Sequence, residues 1–150
     1  MEIGFTGTQA GMSKKQKLAL IRLLNKIDEF FTISEFHHGD CIGSDKESFD
    51  IIRSRYGSKC NIVAHPPKNP KKRAWTDSDE IREVKDYLIR NHDIVDETKI
   101  LIGCPHQLDE KLRSGTWSTI RYGWKTGKFV IIVFPNGFLN RDVQFSNWKE

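Results

Sequence analysis

Ser114-Gly115-Thr116-Trp117-Ser118-Thr119 places small and hydroxylated residues between an apolar strand candidate at residues 99–103, which ends in Gly103, and a short helical segment at residues 120–125. Unpaired backbone amides and the positive end of a helix dipole make such a place attractive to an anion, above all a phosphate. The chain opens with a second stretch of this kind, Phe5-Thr6-Gly7-Thr8-Gln9 at the end of a short strand. A third, Gly39-Asp40-Cys41-Ile42-Gly43-Ser44-Asp45, follows the second strand candidate. Together they imply a nucleotide-sized ligand. Arg113 is the nearest cation for a phosphate, and Asp40 and Asp45 can accept ribose hydroxyls. Phe5 and Gln9 are candidates for base contacts. Each feature has a plainer alternative: Asp45 as a helix cap, Trp117 as packing rather than a stacking platform, and the Gly-containing stretches as ordinary turns and caps.

The elements that must position these residues alternate. A strand at residues 2–6 leads to Ser13, an N-cap with Gln16 three residues on completing a capping box. The helix after it carries Leu20, Leu23, Leu24, Ile27, Phe30 and Phe31 along one stripe. A second strand is expected at residues 32–37. A helix beginning at Ser44 or Asp45 then runs to a stop at Gly57. Residues 60–64 form a third strand. Residues 65–76 read as a loop with the basic cluster Lys68, Lys71, Lys72 and Arg73. A third helix, capped by Asp77 or Ser78, is expected to turn Ile81, Val84 and Leu88 inward. Residues 100–102 and 129–134 are continuous apolar runs, as in strands covered on two faces. The tail, residues 135–150 with Phe138, Phe145 and Trp148, has no assigned place.

This alternation predicts an α/β fold of three layers around a mostly parallel five-stranded sheet, in the order 3-2-1-4-5. Ligands of such sheets bind at the carboxyl ends of the strands, beside the point where the order reverses. All three stretches fall on that edge.

The bulk numbers bound the reading. A chain of 150 residues fits one domain. No run approaches the ~18 apolar residues of a membrane span. No secretion signal is expected at Met1, and three widely spaced cysteines, Cys41, Cys60 and Cys104, speak for a reducing, cytoplasmic setting. A net charge of +4 is mild: it favours anionic ligands without implying nucleic-acid binding. His37, His38, His65 and His106, with Cys41 and Cys104, show no metal-ligand spacing, so no metal is expected.

Gly4-Phe5-Thr6-Gly7-Thr8, the segment from His38 to Asp45, and Ser114 to Thr119 together resemble motifs of the SMF/DprA–LOG (SLOG) superfamily of Rossmann-like proteins, over residues 2–134. The resemblance implies a phosphate-binding Gly-Thr turn, a nucleotide ligand without a required cofactor, and self-association. The superfamily's hydrolases carry a catalytic Glu after this turn. Here that position falls on Ser118 or Thr119, which cannot stabilise an oxocarbenium charge as a carboxylate does. The expectation is therefore a protein that binds a nucleotide or NAD-derived signal without turning it over. The alternative is a nucleotide N-glycosidase that uses Asp40 or Asp45 instead.

Overall fold

The computed structural model describes residues 1–140; Phe145 and Trp148 lie outside the described residues. Six strands and four α-helices follow one another as β1 (Glu2–Gly7), α1 (Lys14–Asp28), β2 (Glu35–His38), α2 (Ser44–Tyr56), β3 (Asn61–Ala64), β4 (Glu80–Ile81), α3 (Tyr87–Asp96), β5 (Ile100–Cys104), α4 (Gly115–Lys125) and β6 (Phe129–Ile132). The sheet order is β4-β3-β2-β1-β5-β6, with every pairing parallel. The inner five strands reproduce the expected order, and the two-residue β4 extends it at one edge. Among the described residues no helix is long and apolar enough to cross a membrane.

Period-two alternation divides the apolar strands between two cores. Ile3, Phe5, Ile100, Ile102 and Ile131 pack on one face with Leu20, Leu23 and Leu24 of α1 and Phe49 and Ile52 of α2. Leu101, Val130 and Ile132 pack on the other with Val95 of α3 and Ile120 of α4. Rossmann-like layering follows from this division. The Ser13 capping box forms as expected. Gln16 does more than cap: its buried Nε2 also donates to the carbonyls of Pro105 and Val133, tying the start of α1 to the ends of β5 and β6.

The third helix departs from the expectation. Residues 80–81 form β4, paired with Val63 and Ala64, and the helix begins only at Tyr87. Ile81, Val84 and Leu88 are exposed rather than inward. Ser78 is no cap: its hydroxyl meets His38 Nε2 at 3.0 Å and the Thr76 hydroxyl at 2.8 Å. A helix there would forfeit the β3 edge pairing, and the apolar spacing alone cannot signal that competition.

Candidate functional site

β1 sits between β2 and β5, so the connections leave its two sides in opposite directions. The C-terminal rim at this switch point holds a cavity of about 290 Å³. Phe5, Thr6 and Gly7 at the end of β1 and Thr8 and Gln9 after it line the cavity, with Gly39 and Asp45 from the second stretch. The Phe5 side chain is no base contact, because strand alternation turns it into the core against Phe36, where it is fully buried. Arg113, Ser114, Gly115 and Thr116 close the cavity from the α4 side. The three stretches therefore converge as the topology predicted.

Not every expected residue faces the cavity. Helix α4 begins at Gly115, several residues earlier than the sequence suggested, with Ser114 as its N-cap accepting from the Trp117 amide at 3.2 Å. Helical periodicity then turns Trp117 inward. Its ring lies against Phe134 and its Nε1 donates to Gln107, so it offers no face to a ligand base. The Thr119 hydroxyl donates back to the Gly115 carbonyl at 2.8 Å, and Ser118 likewise does not line the cavity. The Ser114 carbonyl and hydroxyl cap the amides of Ser118 and Trp117, which leaves Gly115 and Thr116 as the helix's leading amides. Gly103 lies beneath Ile120 and serves packing.

The second loop is mostly structural. The Ser44 amide and hydroxyl both donate to the Thr8 carbonyl, at 3.1 and 2.6 Å, which fastens the first loop to the start of α2. Gly43, the N-cap of α2, sits against the Gln9 backbone. Asp40 is 1% exposed. One of its carboxylate oxygens accepts from the Thr76 amide and hydroxyl at 3.0 and 2.8 Å, and the other from Arg73 Nε at 3.0 Å. Arg73 in turn stacks on Trp75. Asp40 thus anchors the basic segment instead of accepting ribose hydroxyls or acting on a substrate. His38 Nδ1 accepts the Asp40 amide, which assigns the proton to Nε2 toward Ser78; burial pushes its pKa down to about 4.

Asp45 does face the cavity, though not as a cap, since α2 begins at Ser44. Its Oδ2 accepts from the Cys41 amide at 3.1 Å. Burial raises its carboxyl to about 6, against the pull of the Arg90 guanidinium. Unfolded, the same carboxyl titrates near 3.8. Below that pH both states are protonated and the fold carries no charge penalty. As pH rises from about 4 to about 6 the unfolded chain gives up its proton first, and stability falls by ~1.4 kcal/mol for each step of one in pH. Asp45→Asn removes this slope. Urea unfolding at pH 4, 5, 6 and 7 is expected to show the variant gaining on the parent by roughly 3 kcal/mol across the series.

Helix α3 supplies a wall that none of the three polar stretches announces. Tyr87, Arg90, Asn91 and Ile94 line the cavity, joined by Cys41, His106 and Gln107. Arg90 is 6% exposed, and its Nη1 donates to the Gly39 carbonyl at 2.6 Å. Its buried Nε has no hydrogen-bond partner among the described residues. Gly39 is required by this approach: a Cβ there would lie 2.6 Å from Arg90 Nη1 and 2.8 Å from Asp45 Oδ2. Cys41 is a buried thiol whose pKa is raised, first by burial, so it stays protonated and unreactive. The signal for Arg90 is an arginine in a helix otherwise rich in apolar residues, which spacing alone cannot separate from a solvated charge.

The fold and the cavity define a Rossmann-like α/β protein with a ligand-sized rim site. No family model, no curated protein and no solved structure matches the chain.

Proposed function

We propose that the protein binds a nucleotide or a related phosphorylated small molecule, such as an NAD-derived or cyclic nucleotide signal, in the rim cavity, as a sensor or sequestering protein. The observation that carries this reading is the cationic wall. Arg90 and Arg113 line the same cavity as the leading amides of α4, while the one carboxylate there among the described residues, Asp45, is shifted toward its neutral form. The resemblance to the SLOG motifs points the same way.

Magnitudes favour this combination over any single loop. A helix terminus contributes ~0.3–1 kcal/mol to an anion. A hydrogen bond to a charged group contributes ~1.5–3 kcal/mol. Two arginines and one terminus therefore supply about 3–7 kcal/mol, and micromolar affinity needs about 8. Contacts from Gln9 and Tyr87 to the remainder of the ligand are assigned the difference.

Calorimetry with nucleoside monophosphates, ADP-ribose and cyclic dinucleotides tests the reading. Binding is expected, weakened at least about tenfold by Arg113→Ala or Thr116→Val. No heat with any of these at millimolar concentration would overturn it. The same mixtures, chromatographed for released free base, test a second reading that the elevated Asp45 carboxyl favours. A carboxyl whose pKa burial lifts to about 6 is protonated in mildly acidic solution and can then donate a proton to a leaving base. Base release abolished by Asp45→Asn would make the protein an N-glycosidase.

A further inference from the structure

Three ligand-type groups that do not line the rim cavity meet beside it. His37 stands on β2, His65 follows β3, and Glu97 caps the C-terminus of α3. His37 Nδ1 lies 2.9 Å from His65 Nε2, and His65 Nε2 lies 3.4 Å from Glu97 Oε2. All three ligand atoms fall within 4.8 Å of one another. Both imidazoles are buried, at 1% and 2% exposure, whereas the Glu97 side chain is 38% exposed and gives the group an opening to solvent.

We propose that His37, His65 and Glu97 form a zinc site, with a fourth position open to water. Two imidazoles and one carboxylate are a donor set that zinc takes readily. Zinc bonds of ~2.0–2.1 Å in a tetrahedron set the ligand atoms about 3.3–3.4 Å apart. The His65–Glu97 separation already matches, and the His37–His65 pair needs to open by only about 0.4 Å.

The surrounding groups hold His37 and Glu97 in the required form. Glu35 Oε1 lies 2.8 Å from His37 Nε2. A carboxylate only accepts, so Nε2 carries the proton and Nδ1 presents its lone pair toward His65. This is the carboxylate–histidine–metal arrangement, with Glu35 as the positioning residue. Arg82 Nη2 donates to Glu97 Oε1 at 3.0 Å, which leaves Oε2 as the oxygen facing His65. Arg90 Nη1 reaches the His65 carbonyl at 3.4 Å. When zinc binds, His65 moves its own proton from Nε2 to Nδ1, so the neutral ring needs no net proton release. The metal ties β2, β3 and the end of α3 together. It thereby steadies the helix that carries Arg90.

The alternative is no metal at all: a chain of hydrogen bonds from His65 Nε2 through His37 to Glu35, with Glu97 beside it. Zinc titration of the chelator-stripped protein against a chromophoric indicator separates the two. The expected result is one zinc per chain, with a melting temperature raised by several degrees in excess zinc. Glu97→Gln and His65→Gln are expected to weaken binding on the order of 100-fold, and Glu35→Gln by roughly 10–100-fold. Glu97 is the decisive position, because its exposed side chain can be changed without opening the core. Cobalt substitution supplies a second readout: tetrahedral visible bands without thiolate charge-transfer absorption. Absence of stoichiometric zinc, wild-type affinity in Glu97→Gln, or cobalt–thiolate bands pointing to a cysteine would each overturn the site.

Discussion

Gly43→Ala is expected to cost at least about 3 kcal/mol of folding free energy and to abolish ligand binding at the rim. Gly43 has φ 88° and ψ −129°, a region that residues with a Cβ do not occupy without strain. Such strain alone costs ~1–3 kcal/mol. The added methyl would also lie 2.3 Å from the Gln9 carbonyl oxygen and 2.6 Å from its carbon. Both belong to backbone, so neither can swing aside as a side chain could. Relief requires the first loop to lift from the start of α2, which breaks both donations from Ser44 to the Thr8 carbonyl. Gly57→Ala is the control. Gly57 also has positive φ, at 57°, yet nothing lies within 4 Å of its added Cβ. Urea unfolding of both variants separates strain from collision: equal losses at the two positions would remove the loop contact from the account of the site.

Asp40→Ala is expected to destabilise the protein by about 3–5 kcal/mol, the range for removing one partner of a buried ion pair. The carboxylate is buried, at 1% side-chain exposure, and Arg73 is half-buried at 14%. The substitution also strips two donors at Thr76 of their acceptor. What Asp40 holds is the strap from Lys72 to Thr76, whose backbone bonds to Ile42 and Asp40 lie beside these contacts. Lys71 and Lys72 are already exposed, and release gives the backbone from Lys71 to Arg73 the freedom that a protease needs to cut it. Limited trypsin digestion is expected to cut there faster than in the parent, alongside the loss measured by denaturation. Unchanged stability and digestion would show that Asp40 is no anchor and would return it to the candidates for ligand contact.

Much of this architecture is legible from short-range pattern. The Ser13–Gln16 capping box, the leucine stripe of α1 and the apolar runs at Ile100 and Val130 all form where their spacing places them. These signals are complete within one or two turns of chain, so no distant partner is needed to read them. The parallel order of the inner strands follows from alternation, and the meeting of the three polar stretches at one rim follows from that order. Pattern fails where it has a distant competitor. Ile81, Val84 and Leu88 have helical spacing, but residues 80–81 gain more by extending the sheet beside Val63 and Ala64. Ser114 to Thr119 read as one anion-binding stretch, yet an earlier helix start rotates Trp117 and Thr119 away from the cavity.

Sequence alone, then, determined the layering, the strand order at the centre and the edge on which polar loops collect, because periodicity and caps act over a few residues. Tertiary structure alone decided which side chains on that edge remain available. Asp40 is consumed by Arg73 and Thr76, 33 and 36 positions away, and Ser44 by Thr8, 36 positions back. Arg90 enters the cavity wall through the Gly39 carbonyl, 51 positions away, and His37 meets His65 across 28. Partnerships of that span depend on how helices and strands dock. A buried polar group must take whichever partner the docking brings within reach, and one-dimensional spacing carries no record of that choice.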